Sequence, residues 1–220
     1  MLNYKRALKA DETFKKIKNM MYYNELSPGQ KIVYQDLAKK LNTSITPIIQ
    51  ALKRLQDSNL VQYKPNKGYF IKEITKDEVK ELYEAREALE IYIVPSIVQN
   101  LNSEKLSDIK KSFKDYNKTT KDHRLLIIRD AQFHLKIAKF AHNNVIYRLL
   151  NGIFDEICLK YRPEYMGDER IAEAVQEHRR ILNALEKRDV EKAVAMTKEH
   201  NKKGMEHVIS SLCMDRPIIF

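Results

Sequence analysis

The sequence predicts a mainly α fold that carries one small β-hairpin. Three observations lead there. The 220 residues include only 5 Gly and 6 Pro, too little turn material for a loop-rich β-sandwich or a phosphate-cradling Gly loop. Apolar residues recur at intervals of three or four over most of the chain, the period of helices with one buried face. Segment 60–72 breaks that pattern, with Lys64-Pro65-Asn66-Lys67 set between two short strand-like runs.

Taken in order, segment 11–26 places Phe14, Ile17, Met21 and Leu26 on one side of a helix, and Ser27-Pro28-Gly29 ends it. A short helix over 35–41 turns Leu37, Ala38 and Leu41 inward. After Asn42-Thr43-Ser44, a third helix runs from 45 to about 58, with Ser44 as its N-cap. Pro47 is tolerated in the first turn, where an N–H has no intrahelical partner. The buried stripe is Ile48, Ala51, Leu52 and Leu55. Strands over 60–63 and 68–72 follow. Helix, helix–tight turn–helix and basic hairpin together describe a winged helix-turn-helix. Beyond Asp77 the pattern gives six helices, over 78–100, 104–120, 122–141, 143–162, 168–187 and 190–213. The expected plan is residues 1–73 as the winged helix-turn-helix, 74–77 as a linker, and 78–220 as an all-α bundle.

Composition narrows the class. Hydrophobic residues make up 43% and charged residues 32%, the balance of a folded globular chain. No apolar run reaches the roughly 20 residues of a membrane-spanning helix. The start, Met1-Leu2-Asn3-Tyr4-Lys5-Arg6, lacks a signal peptide's apolar core. The expectation is therefore a cytoplasmic protein without a membrane partner. Cys158 and Cys213 are too few for a disulfide framework or a zinc knuckle and are expected to be buried, reduced thiols. Residues 1–77 carry 15 Lys and Arg against 7 Asp and Glu, a net +8, whereas the remainder carries 25 against 23. A basic first third on a nearly balanced remainder is the footprint of a nucleic-acid-binding module, although Lys-rich surfaces arise without a partner.

The bundle carries one notable constellation. Asp130 and His134 are spaced i, i+4 and project from one helix face. His178 and His200 lie in the last two helices. One carboxylate and three imidazoles suit a divalent cation such as zinc, nickel or manganese, provided that the three helices converge. Such residues also occur as ordinary surface groups, and spacing alone leaves convergence open.

Several strings resemble the GntR-type bacterial repressors. Leu37-Ala38-Lys39-Lys40-Leu41-Asn42-Thr43-Ser44-Ile45-Thr46-Pro47-Ile48-Ile49-Gln50-Ala51-Leu52-Lys53-Arg54-Leu55 is similar to their recognition region, as are Leu26-Ser27-Pro28-Gly29 and the wing Lys67-Gly68-Tyr69-Phe70. The second part resembles the FCD effector domain of the FadR-type subfamily. Tyr83-Glu84-Ala85-Arg86 with Leu89-Glu90 is similar to its opening helix, and Arg129-Asp130 with Phe133-His134 to its third. Glu177-His178-Arg179 with Ile181-Leu182 and Ala184-Leu185 is similar to its next-to-last helix, and His200 to its last. Intervals of 44 residues from His134 to His178 and 22 from His178 to His200 agree with the family. Six helices, not seven, suggest the VanR-like branch.

The resemblance implies a homodimeric transcription factor that binds double-stranded operator DNA and a small effector, often a carboxylic acid. It implies Asp130, His134, His178 and His200 as ligands of a divalent metal ion. Arg86 becomes a candidate to grip the effector carboxylate, or else a buried ion-pair partner of a nearby glutamate. The DNA-binding candidates are Gln35, Ser44, Ile45, Thr46, Ile49, Gln50, Lys53, Lys67 and Gly68. At three of these positions the chain departs from the family: arginine is usual where Ile45 and Ile49 stand, and a basic residue near Gln35. The operator is therefore expected to differ from the family's usual one. Two further readings are an all-α metal-dependent hydrolase, for which no general base is evident beside the ligands, and a paralogue with degenerate DNA binding. Glu177, next to His178, is expected to point to another helix face.

Overall fold

The computed structural model of the chain describes residues 2–116, 122–162 and 166–213, with side chains described from residue 9. The chain divides into two compact units. The first comprises residues 1–74 with 158–162, and the second comprises the described residues of 75–157 and 163–220.

In the first unit, α1 (Leu2–Tyr22) packs on α3 (Ile45–Asp57), α2 (Tyr34–Lys40) lies against α3, and β1 (Val61–Lys64) pairs with β2 (Gly68–Ile71). Register is antiparallel, with Val61 opposite Ile71 and Tyr63 opposite Tyr69. The core gathers Ile17, Met21, Ile32, Leu37, Ile48, Leu52, Leu55, Leu60 and Ile71, together with Leu159. Full burial of each such aliphatic side chain is worth about 1.5–3 kcal/mol, which is why α3's inward stripe holds it in place. The expected stripe of Ile48, Ala51, Leu52 and Leu55 is buried, and Pro47 joins it.

Several boundaries differ from expectation. α1 ends at Tyr22 rather than 26, so Leu26 enters the core from the following turn. Ser44 stands at the N-cap of α3, but its hydroxyl makes no cap hydrogen bond. The first strand starts at Val61, because the Leu60 N–H donates to Leu55 O and closes α3. Four helices end in the same way, with a left-handed residue that is not glycine: Asn24 after α1, Asn42 after α2, Asn59 after α3 and Arg188 after α8. The N–H of the next residue reaches back to the last turn, as in Glu25 to Met20 O at 2.8 Å and Asp189 to Ala184 O at 3.0 Å.

Six helices follow among the described residues: α4 (Lys76–Asn100), α5 (Ser103–Tyr116), α6 (His123–Lys139), α7 (Asn144–Lys160), α8 (Asp168–Glu186) and α9 (Val190–Ser211); they form the second unit, except that the last three residues of α7 belong to the first. α4 begins inside the segment expected to be a linker. Thr75 caps it: its hydroxyl accepts from the Glu78 N–H at 3.2 Å, while Glu78 accepts from the Thr75 N–H at 3.1 Å. The Thr-x-x-Glu spacing is visible in the sequence. α9 packs against both α4 and α8, and α5 against α6. The expected end of the second bundle helix falls on residues 117–120, outside the described residues, and the fourth helix ends at Lys160 where 162 was expected. Cys158 is buried as expected, but Cys213 is exposed, since it lies past the end of α9. Among the described residues no helix is long and apolar enough to cross a membrane.

Candidate functional site

Helical period sets the inward face of each contributing helix in the second unit. α4 presents Arg86 and Glu90, α6 presents Asp130 and His134, α8 presents Glu177 and His178, and α9 presents His200 and Asn201. His134 Nε2 lies 3.0 Å from His178 Nε2 and 3.1 Å from His200 Nε2, and the last two are 3.3 Å apart. Asp130 Oδ1 is 3.3 Å from His178 Nε2. One ligand atom from each of the four residues lies within 4.8 Å of the others. The three imidazoles are buried, and Asp130 is partly exposed.

The chemistry of this donor set fits a divalent cation. His134 Nδ1 is 2.9 Å from Glu90 Oε1, and His200 Nδ1 is 2.8 Å from Glu177 Oε2. An Nδ1–H that donates to a carboxylate leaves the Nε2 lone pair facing inward. Imidazole-to-metal bonds of about 2.0–2.1 Å place neighbouring ligand atoms roughly 3.0–3.4 Å apart, and the three nitrogens have that spacing. His178 Nδ1 is buried without a hydrogen-bond partner. Burial first, then the neighbouring histidines and Arg86, holds His178 and His200 well below the usual imidazole range. Both are thus neutral at pH 7, the form that ligates.

The surroundings are charged but paired. Burial opposes ionisation of Glu90, yet Arg86, His134 and Asn201 overcome it, so its carboxyl lies well below the usual range. Arg86 donates through Nε to Glu90 Oε2 at 3.2 Å, and its Nη2 is 3.4 Å from His200 Nε2. The buried ion pair that the sequence left open for Arg86 is therefore present, at the rim of the cluster. Arg170 donates to both oxygens of Glu177, at 3.0 and 2.8 Å. Glu177 does not point away as expected: it is buried behind His200. The rings of Tyr116 and Phe133, each centred 4.7 Å from the His178 ring, wall the cluster with Phe154, which stacks on His134. Burial, reinforced by Asp130, pushes the Tyr116 hydroxyl far above its usual range.

Sequence reasoning missed Glu90, Glu177, Arg170 and Tyr116 as parts of this site. The signal for Glu90 was available, because Arg86 and Glu90 are an i, i+4 pair on an otherwise apolar face. Arg170 and Glu177, seven residues apart, share a face for the same reason.

In the first unit, the other candidates lie on the outside. Gln35 is exposed in the first turn of α2, and Ser44, Ile45, Thr46, Gln50 and Lys53 are exposed along α3, with Ile49 half-buried beside them. Lys67 is exposed at the hairpin turn. Gly68 follows with φ +92°, a conformation that favours glycine. Arg54 is occupied elsewhere: its Nη1 is 2.7 Å from Asp11 Oδ1, and its guanidinium covers the Phe14 ring.

Comparison with known proteins accords with both units. Residues 9–71 match the bacterial regulatory proteins, gntR family, and residues 81–203 match the FCD domain. The HTH-type transcriptional regulator YdhC of Bacillus subtilis (strain 168) is 27% identical over 199 residues, 89% of this chain and 88% of YdhC. The HTH-type transcriptional regulator McbR of Escherichia coli (strain K12) is 24% identical over 179 residues, 80% of this chain and 81% of McbR. The solved structure of E. coli McbR/YncC is similar with a TM-score of 0.81 at 21% identity, covering 93% of this chain and 98% of that one. A GntR regulator from Rhodococcus sp. RHA1 has a TM-score of 0.80 at 18% identity, covering 91% and 97%. These structural likenesses carry the fold, and the two family matches carry the rest: the chain belongs to the GntR family of bacterial transcriptional regulators, with an FCD domain after its DNA-binding winged helix.

Proposed function

We propose that this regulator is a cytoplasmic homodimer whose affinity for operator DNA is set by a small carboxylate effector bound at a divalent metal centre. The observation that carries the reading is the meeting of three buried Nε2 atoms, 3.0–3.3 Å apart, with Asp130 beside them. Asp130, His134, His178 and His200 would hold the ion, which when bound supplies a Lewis acid for an anionic oxygen.

The chain's own residues do the rest. Glu90 and Glu177 fix the tautomers of His134 and His200. Arg86 keeps Glu90 ionised, and its Nη2 is a cation close to an anionic oxygen that arrives beside His200. Tyr116, Phe133 and Phe154 exclude water, which strengthens each of these interactions. Binding then shifts DNA affinity through its different contacts with two dimer arrangements. A hydrolase would need a carboxylate free to take a proton beside the ligands. Glu90 and Glu177 are both engaged with an arginine and a histidine, which favours sensing over turnover.

The test measures binding to the regulator's own upstream DNA, with and without a panel of small carboxylates, before and after chelation. The reading expects a carboxylate that changes DNA affinity in the metal-loaded protein, with no response after chelation or in His178→Ala. An equal response in chelated and loaded protein would contradict it.

A further inference from the structure

We infer that the N-terminal turns of α3 read thymine methyl groups and adenine edges, so that the operator half-site is A·T-rich where this helix enters the groove. The inference rests on the DNA-binding function and goes beyond it to base specificity.

In a helix-turn-helix, the N-terminal residues of the second helix meet base edges in the major groove. Here that helix is α3, and its core stripe of Pro47, Ile48, Ala51, Leu52 and Leu55 fixes its rotation. The opposite side at the N-terminal end carries Ile45, Thr46, Ile49 and Gln50. Ile45 is 42% exposed in the free protein, so its side chain is accessible to a groove. Ile49 lies one turn further on the same edge and is half-buried.

No guanine-reading cation stands among these four residues. Arg54, the arginine of α3, is held by Asp11 and stacked over Phe14 on the side facing α1. Lys53 is exposed a turn beyond Ile49, where it would meet phosphates, which position a protein without reading sequence.

An isoleucine offers the groove no hydrogen bond, and facing the O6 and N7 acceptors of guanine it leaves them without the water they lose. Against the C5-methyl of thymine it buries apolar surface on both sides. Gln50 can join N6 and N7 of adenine through two hydrogen bonds, and Thr46 tolerates either base. Shape and chemistry together favour thymine opposite Ile45 and Ile49, and adenine opposite Gln50.

The experiment has two arms on the full-length protein. Selection from a random duplex pool identifies the site. Thymines at the enriched positions are then replaced one at a time by uracil, which removes only the methyl group. The expected result is an A·T-rich inverted repeat in which uracil at a contacted position weakens wild-type binding about threefold to fivefold, the size of one buried methyl group. The same uracil should have almost no effect on Ile45→Ala or Ile49→Ala, and Ile45→Arg Ile49→Arg should move selection toward guanine.

Enrichment of guanine at these positions by the wild type would overturn the inference. So would an A·T-rich site that is indifferent to uracil, since readout would then come from groove shape. Salt-dependent DNA binding without any sequence preference would overturn the inference and leave the DNA-binding function standing, whereas absence of DNA binding would overturn both.

Discussion

Glu177 has three engagements at once. It accepts two hydrogen bonds from Arg170, faces His200 Nδ1 at 2.8 Å, and lies 3.6 Å from Lys203 Nζ. Glu177→Gln keeps the volume and removes the charge, so His200 loses its charged acceptor and Arg170 loses its nearer carboxylate, keeping Glu173 at 3.6 Å. Metal affinity, read by competition with a chromogenic chelator, should fall about tenfold to a hundredfold while all four ligands remain. Stability of the metal-free protein should drop by about 2 kcal/mol in urea titration, because a charged hydrogen-bond donor is left largely buried. The imidazoles give a second prediction. Burial depresses His178 and His200, so below the unfolded value of about 6.5 the unfolded chain binds protons that the folded chain refuses. Stability of the chelator-treated protein is therefore lost as pH falls through about 6.5 toward the folded values. A melting temperature that stays flat from about pH 7.5 to about 5.5 would contradict this assignment.

At the scale of elements, helix existence was legible and helix ends were not. Apolar period marks the buried faces of α1 to α9 because each packs one side. The ends follow from turn chemistry, and with 5 glycines in the chain the left-handed positions go to Asn24, Asn42, Asn59, His142 and Arg188. Asparagine is a weak stop signal, and histidine or arginine is none. The same gap explains the site. Period alone placed Asp130 with His134 and left open which helix faces which. Glu90 and Glu177 became recognisable as partners of the histidines only once α4, α8 and α9 were seen to pack together. Gly68 carries the prediction at this scale. At φ +92°, an added Cβ would lie 3.2 Å from the Tyr34 hydroxyl oxygen. Gly68→Ala should therefore destabilise the hairpin by more than about 1 kcal/mol, from backbone strain and this close approach. The readout is thermal unfolding, with weakened DNA binding following from the displaced Lys67.

At the scale of the whole molecule the two parts of the chain differ in charge. The first 77 residues carry a net +8, and DNA binding should fall steeply with salt, linear in log–log form, because phosphate contacts release counter-ions. Substituting Lys53 or Lys67 by Ala should reduce that slope by about one each and weaken all sequences alike. The second unit would gain stability from the ion by mass action, since the ligand set exists only in the folded state. The most direct test of the central claim is metal analysis of the purified protein beside His178→Ala His200→Ala. The account predicts about one divalent ion per chain in the wild type and a melting temperature that falls on chelation, with both the ion and the chelation effect lost in the variant. Equal metal content in the two proteins would contradict it.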